Sequence, residues 1–400
     1  MNGLTHYYNL VLSRLNREKG VDLTVVVPAS AGNNVGQGVY LTKDGADFPI
    51  IELQEKKLFV FYSSFKCLSD TILSVKPDVI VVVEPYLYSF LFARSVSKAR
   101  RMIGAALILK SIPFRLSPYG ESRDNIYSSP VGFSSMHPLL NKILLNTGLL
   151  RTVRYKLLDF KKMAYTMVDA HVNYVEAFDL WSSYGVPKEK IFITRNSPDT
   201  DMLFDVYNSL EHAPPILPKS SQRFLHVGRL VKWKRVDMLL YAFSRIREDY
   251  PDVELIVIGG GPEEEILKGL SKQLMICDSV CFLGPIYDQK ILGQYYLASS
   301  VYVLAGMGGL SINEAMCFGL PVLCSVCDGT ERVLVRDGFN GIYFSDDDED
   351  DLVSKLVWFL ENSFSIEVMG CNSRKIIRED VNIHTVINGY LKAFEYVYKK

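Results

Sequence analysis

The chain is short of cysteine and histidine, with seven and six in 400 residues. An odd, modest number of thiols makes a poor disulfide framework and fits a reduced, cytoplasmic setting. Cys324 and Cys327 spell one C-x-x-C. No second pair or histidine cluster accompanies it, so buried thiols are expected there rather than zinc. Nowhere do about 18 apolar residues follow one another, and the N-terminus lacks a basic region leading into an apolar stretch and a small-residue cleavage site. The expectation is a protein neither exported nor membrane-spanning. Net charge is also nearly absent, at −1. That neutrality conceals a split: residues 1–200 carry 24 Lys and Arg against 17 Asp and Glu, and residues 201–400 carry 20 against 28. A basic first half and an acidic second half argue against a nucleic-acid partner, whose field would follow one face. Internal repeats and low-complexity segments are missing, apart from the acidic run at 346–351.

What is present is apolar residue in quantity, 48% of the chain, enough to bury large cores at a length typical of two domains. Helical spacing over residues 4–19 is followed by a strand at 22–27. Runs at 79–83 and 105–109 read as strands buried on both faces, and 171–175 and 191–194 add two more. Residues 1–207 therefore form one parallel α/β unit. Pro214, Pro215 and Pro218 mark 208–222 as a linker. A second alternation fills 223–380, with strands at 224–227, 253–258, 280–283, 301–305 and 321–323. Residues 381–400 hold a closing helix.

The strand at 301–305 runs into Gly308-Gly309-Leu310-Ser311-Ile312-Asn313-Glu314. Glycines there let the backbone approach a ligand and open onto a helix start. Its amides and dipole suit a phosphate, and Glu314 suits a pair of ribose hydroxyls. A tight packing turn would read the same way. After the strand at 224–227 come Gly228-Arg229 and, five residues past the arginine, Lys234. At the carboxyl edge of a parallel sheet these cations can clamp a diphosphate and neutralise its growing charge as it departs.

These residues resemble glycosyltransferase family 4, retaining enzymes of the GT-B fold, in which two Rossmann-like doubly wound α/β domains face a central cleft. The likeness runs through Val227-Gly228-Arg229-Leu230 with Lys234, Ile258-Gly259-Gly260-Gly261-Pro262, Phe282-Leu283-Gly284-Pro285-Ile286, the Gly308 motif, and Gly329-Thr330-Glu331-Arg332-Val333. Asn196-Ser197-Pro198-Asp199 is similar to the family's Asn-Gly-Val-Asp turn. The resemblance implies an acceptor-binding first domain, a nucleotide-sugar-binding second domain, and a last helix that crosses back to the first. It implies Arg229 and Lys234 as diphosphate-binding cations and Gly308, Gly309 and Leu310 as backbone donors. Glu314 becomes the ribose carboxylate, with Pro285 and Ile286 beside the base.

Three departures qualify the match. The position eight before Glu314, a glutamate near the donor sugar in relatives, is Gly306. Lys110, at the end of the 105–109 strand, stands where relatives often place a histidine near the reacting centre, and is a candidate catalytic substitute. Gly3 resembles the glycine turn after the family's first strand, which implies that this strand is missing from the sequence given.

Two Asp-x-Asp spellings, at 199–201 and 346–348, fall in a turn and a solvated acidic run, so no metal and no cofactor is expected. Residues 138–162 interleave Lys and Arg with leucines. A peripheral contact at the inner membrane face would produce that pattern, and so would a half-buried helix. The resulting expectation is metal-independent hexosyl transfer, with retention, from UDP-glucose or a similar donor to a glycan or lipid-linked acceptor in polysaccharide biosynthesis. A nucleotide-sugar epimerase of the same fold and a non-catalytic nucleotide-sugar-binding subunit stand as alternatives.

Overall fold

The computed structural model describes residues 4–30, 42–59, 62–112, 116–128, 149–327 and 329–399. Its first half holds β1 (Val25–Pro28), β2 (Ile50–Leu53), β3 (Glu55–Phe59), β4 (Tyr62–Phe65), β5 (Val79–Val83), β6 (Ala106–Ser111), β7 (Ala170–Asn173) and β8 (Ile191–Ile193). Strands β5 to β8 form a parallel four-stranded sheet in chain order. β1 pairs with β2 in parallel, and β3 with β4 in an antiparallel hairpin. The hairpin, β2 and the helix Leu68–Val75 went unpredicted, while the helices Leu87–Phe92 and Arg94–Ile103 fill the helical interval expected between β5 and β6. The hairpin's alternation is weak, as in Glu55-Lys56-Lys57, and supplies little periodic signal.

The second half contains β9 (Arg223–Val227), β10 (Glu254–Ile258), β11 (Val280–Gly284), β12 (Val301–Leu304), β13 (Val322–Cys324) and β14 (Gly341–Tyr343). All pair in parallel, in the order β11-β10-β9-β12-β13-β14. Successive side chains of a strand point to opposite faces, and the cores sort accordingly. Phe224, Leu255, Val257, Val301 and Val303 enter one layer, while Leu225, Ile256, Ile258, Tyr302 and Leu304 enter the other. Strand order reverses between β9 and β12. Open α/β sheets bind ligands outside the carboxyl ends of the strands at such a reversal, so the topology singles out the loops after β9 and β12.

Two segments join the halves. The helix Thr200–Ser209 is capped by Asp199, whose side chain accepts from the Met202 amide. It sends Leu203 into the core of the second sheet, where Met202, Val206 and Tyr207 pack beside it. The boundary expected at 207 thus falls inside a helix that packs with the second half. Its apolar spacing at 203, 206 and 207 faces that core. The helix Ile383–Tyr398 places Ile383, Val386, Ile387, Tyr390, Ala393 and Val397 against Val11, Leu15, Ile108, Ala170 and Val172 of the first half. These positions share one helical face. Gly389 brings the helix backbone against β8, since a Cβ there would lie 2.5 Å from the Ile193 carbonyl oxygen.

Candidate functional site

β9 delivers its chain to Gly228 and Arg229 and then to a 3-10 turn, Lys232–Lys234. Lys234 is buried, and its Nζ donates to the carbonyls of Met307 and Gly308 at 2.7 and 2.8 Å. Its ammonium therefore lies under the glycine loop after β12, holding that loop by its oxygens. Arg229 is half-buried at the rim, its guanidinium carbon 5.7 Å from the centre of the Trp233 ring. Both expected cations and the Gly308 turn thus meet at the strand-order reversal.

The glycine loop differs in one respect from its sequence reading. The Gly308 amide, expected to be open to a phosphate, donates to Glu331 Oε1 at 3.0 Å. Glu331 is fully buried, and its other oxygen accepts from the Gly329 amide at 3.0 Å. A carboxylate from the start of the short helix Glu331–Leu334 thus clamps two loops together. Burial makes the pairing obligatory, because an ionised carboxylate away from water needs donors. Glu331 belongs to a quoted motif, yet its role had no local signal, since its partner lies 23 residues earlier.

Gly306 explains its own departure from the family pattern. An added Cβ would run into the Trp233 carbonyl oxygen and lie 2.8 Å from the Lys234 carbonyl carbon. The Met307 amide seals the approach by donating to Trp233 O at 3.0 Å. With no Cβ at 306, the β12 loop closes directly onto the Lys234 turn. Gly259 and Gly261 likewise allow the β10 loop to touch the backbone of Gly228 and Leu230.

Glu314 lies in the first turn of the helix Ser311–Cys317, half-buried. Tyr296 donates its hydroxyl to Glu314 Oε2 at 3.2 Å. Tyr296 is fully buried and stacks on Phe318, ring centres 5.2 Å apart. Desolvation pushes the Glu314 carboxyl up to about 7, partly offset by the tyrosine's hydrogen bond. Sequence reasoning did not reach Tyr296, which comes from the neighbouring helix Gln289–Ala298. Leu310 occupies the N-cap position, and Gly309 lies over Lys234 Nζ, 3.1 Å from where its Cβ would stand. Pro285 and Ile286 follow β11, and Pro285 Cδ is 3.5 Å from the Cβ position of Gly260. They border the same loop cluster.

Lys110 is the next-to-last residue of β6 in the first half, with its Nζ 3.6 Å from the centre of the Tyr8 ring and 5.1 Å from that of Tyr174. Gly3 lies outside the described residues, as do 138–148 of the basic segment. From 149 on, that segment belongs to the helix Leu149–Thr166, which buries Leu158, Ala164 and Tyr165. The acids of the two Asp-x-Asp spellings have structural partners. Asp199 binds Arg14, Asp346 accepts from Ser325, Asp347 pairs with Arg235, and Asp348 caps the helix Glu349–Glu361. Cys324 is buried, and Cys327, half-buried, leans toward Asp346.

Residues 209–376 match the family model described as glycosyl transferases group 1. An uncharacterized glycosyltransferase of Haemophilus influenzae is 33% identical over 195 residues, 46% of this chain and 54% of that protein. The alpha-monoglucosyldiacylglycerol synthase of Acholeplasma laidlawii is 30% identical over 151 residues, 37% of this chain and 36% of that protein. The chain spans about half the length of the first curated relatives it matches. In three dimensions it is similar to Anabaena HepE in complex with UDP and glucose, with a TM-score of 0.62 at 15% identity, over 97% of this chain and 95% of that one. That likeness speaks for the fold.

Proposed function

We infer, for a chain whose residues 209–376 belong to the group 1 glycosyltransferases and whose fold is GT-B, that the protein is a retaining, metal-independent hexosyltransferase. The observation that carries this reading is the meeting of Arg229, the Lys234-backed glycine loop and the Glu314 helix start at one strand-order reversal. A nucleoside diphosphate sugar lies across these loops, its ribose on Glu314 and its base beside Pro285 and Ile286. Arg229 and Lys234 draw off the charge of the departing diphosphate, and the acceptor hydroxyl attacks from the face the leaving group vacates. No protein nucleophile is assigned to a covalent intermediate.

UDP-glucose is the first donor to try, supported by the UDP and glucose bound to Anabaena HepE, which shares the fold. A glycan or lipid-linked acceptor, in a cytoplasmic polysaccharide pathway or at the inner membrane face, is supported by a relative named for glycosylating a diacylglycerol. The test is a thermal-shift panel of nucleoside diphosphates and their sugars, since a specific ligand raises apparent stability by mass action. UDP is expected to stabilise wild type, and Lys234→Ala and Glu314→Ala to lose most of that shift. No shift from any nucleotide would defeat the reading. Gly306, lacking the carboxylate of relatives, favours one rival, a binding subunit without catalysis. Nucleotide binding without donor hydrolysis or transfer would select that rival, and isomerised sugar formed from donor alone would select an epimerase.

A further inference from the structure

Lys110 carries a positive charge that no described carboxylate pairs. It lies next to last in β6, at the carboxyl edge of the first sheet, and the groups around it are phenols. Its ammonium rests on the Tyr8 ring and faces the Tyr174 ring. Tyr390 joins from the helix Ile383–Tyr398, its hydroxyl 3.2 Å from that of Tyr8. Desolvation works against the ammonium, and the surrounding phenol oxygens more than offset it, so the lysine is a cation. Burial pushes Tyr174 and Tyr390 up, so at neutral pH they are neutral hydroxyls able to donate. Ring faces and hydroxyl oxygens soften a buried charge without balancing it. Lys110, Tyr8 and Tyr174 each keep part of their surface open. A fixed cation ringed by neutral donors, with an opening to solvent, is complementary to an anion with several acceptor oxygens.

We propose that Lys110, Tyr8, Tyr174 and Tyr390 form a binding site for a phosphoryl anion at the carboxyl edge of the first sheet. Lys110 supplies the charge and the phenols the orienting hydrogen bonds. Tyr390 makes the site depend on the docking of the last helix. The inference rests on the transferase reading for which phosphorylated compound is bound, the donor's diphosphate or a phosphate on the acceptor, but not for the anion itself.

The experiment titrates inorganic phosphate into the full chain, alone and with UDP at saturation, for wild type, Lys110→Met and Tyr174→Phe. Wild type is expected to bind phosphate saturably, Lys110→Met about tenfold or more weakly, and Tyr174→Phe about threefold more weakly. Phosphate binding on top of UDP assigns the site to the acceptor. Competition with UDP, together with weaker UDP binding by Lys110→Met, assigns it to the donor. Phosphate affinity unchanged in either variant, or no saturable phosphate binding in wild type, overturns the proposal. Phosphate binding at Lys110 in a protein that ignores every nucleotide would keep this site and retire the transferase reading.

Discussion

At the scale of single residues, the second-sheet site is governed by burial more than by formal charge. Glu314 is the clearest case, since desolvation raises its carboxyl from 4.5 to about 7. A folded-state value above the unfolded one means that the fold prefers the protonated acid. That preference is fully present below pH 4.5 and is lost as pH rises through about 7. Ligand-free wild type should therefore lose stability between these limits relative to Glu314→Gln, by at most about 3 kcal/mol, less because the residue is half-open. Urea unfolding across that range checks this, and parallel pH profiles for the two proteins would contradict it. Gly306 supports a prediction of the opposite kind. Restoring the family's carboxylate with Gly306→Glu should lower the melting temperature and weaken nucleotide binding, because the first added carbon meets the Trp233 and Lys234 backbone. A stable Gly306→Glu protein with raised turnover would show that the loop can open away from the Trp233 backbone.

At the scale of elements, the second half was legible because its strands are buried on both faces and their runs of Val, Ile and Leu are unmistakable. β9, β10, β12 and β13 lie within two residues of their expected places. The glycine loops were legible for a related reason, since close backbone approach leaves a mark in the sequence. Contacts between distant elements left no such mark. Nothing local to Glu331 points to the Gly308 amide, to Tyr296 the Glu314 carboxyl, or to Tyr8 a lysine 102 residues on. The amphipathic helix Ile383–Tyr398 was legible as a helix, but its seat on β7 and β8 depends on Gly389. Gly389→Ala would place a methyl 2.5 Å from the Ile193 carbonyl oxygen and 2.7 Å from the Thr194 Cα. Neither backbone atom can turn aside as a flexible side chain would. The expected cost is about 1–3 kcal/mol, read as an earlier urea transition with faster proteolysis of the last helix. A midpoint equal to wild type would mean that the helix slides without loss.

At the scale of the whole molecule, two strips of chain cross between the halves side by side, and their junction is polar. The Ile383 amide donates to Thr200 Oγ1 at 3.1 Å, and the Asn313 side chain, next to Glu314, donates to the Asn196 carbonyl at 3.3 Å. Arg14, on the first helix, grips Asp199 through both carboxyl oxygens at 2.8 and 3.1 Å, while Asp199 caps the helix leading into the second core. One carboxylate thus links the first helix, the crossing and the second half. Asp199 is 6% exposed, so removing its arginine leaves a nearly buried charge with only a cap. Arg14→Ala should cost about 1–3 kcal/mol. The consequence for activity follows from where the break falls. The proposed nucleotide pocket is built from second-half loops, so UDP affinity should stay within about twofold of wild type. Turnover with an acceptor needs both halves held in register, and should fall by about tenfold or more. Calorimetry with UDP and steady-state assays on the same preparations separate the two quantities. Equal losses in affinity and turnover would show that Arg14 supports the pocket itself and not the alignment of the halves.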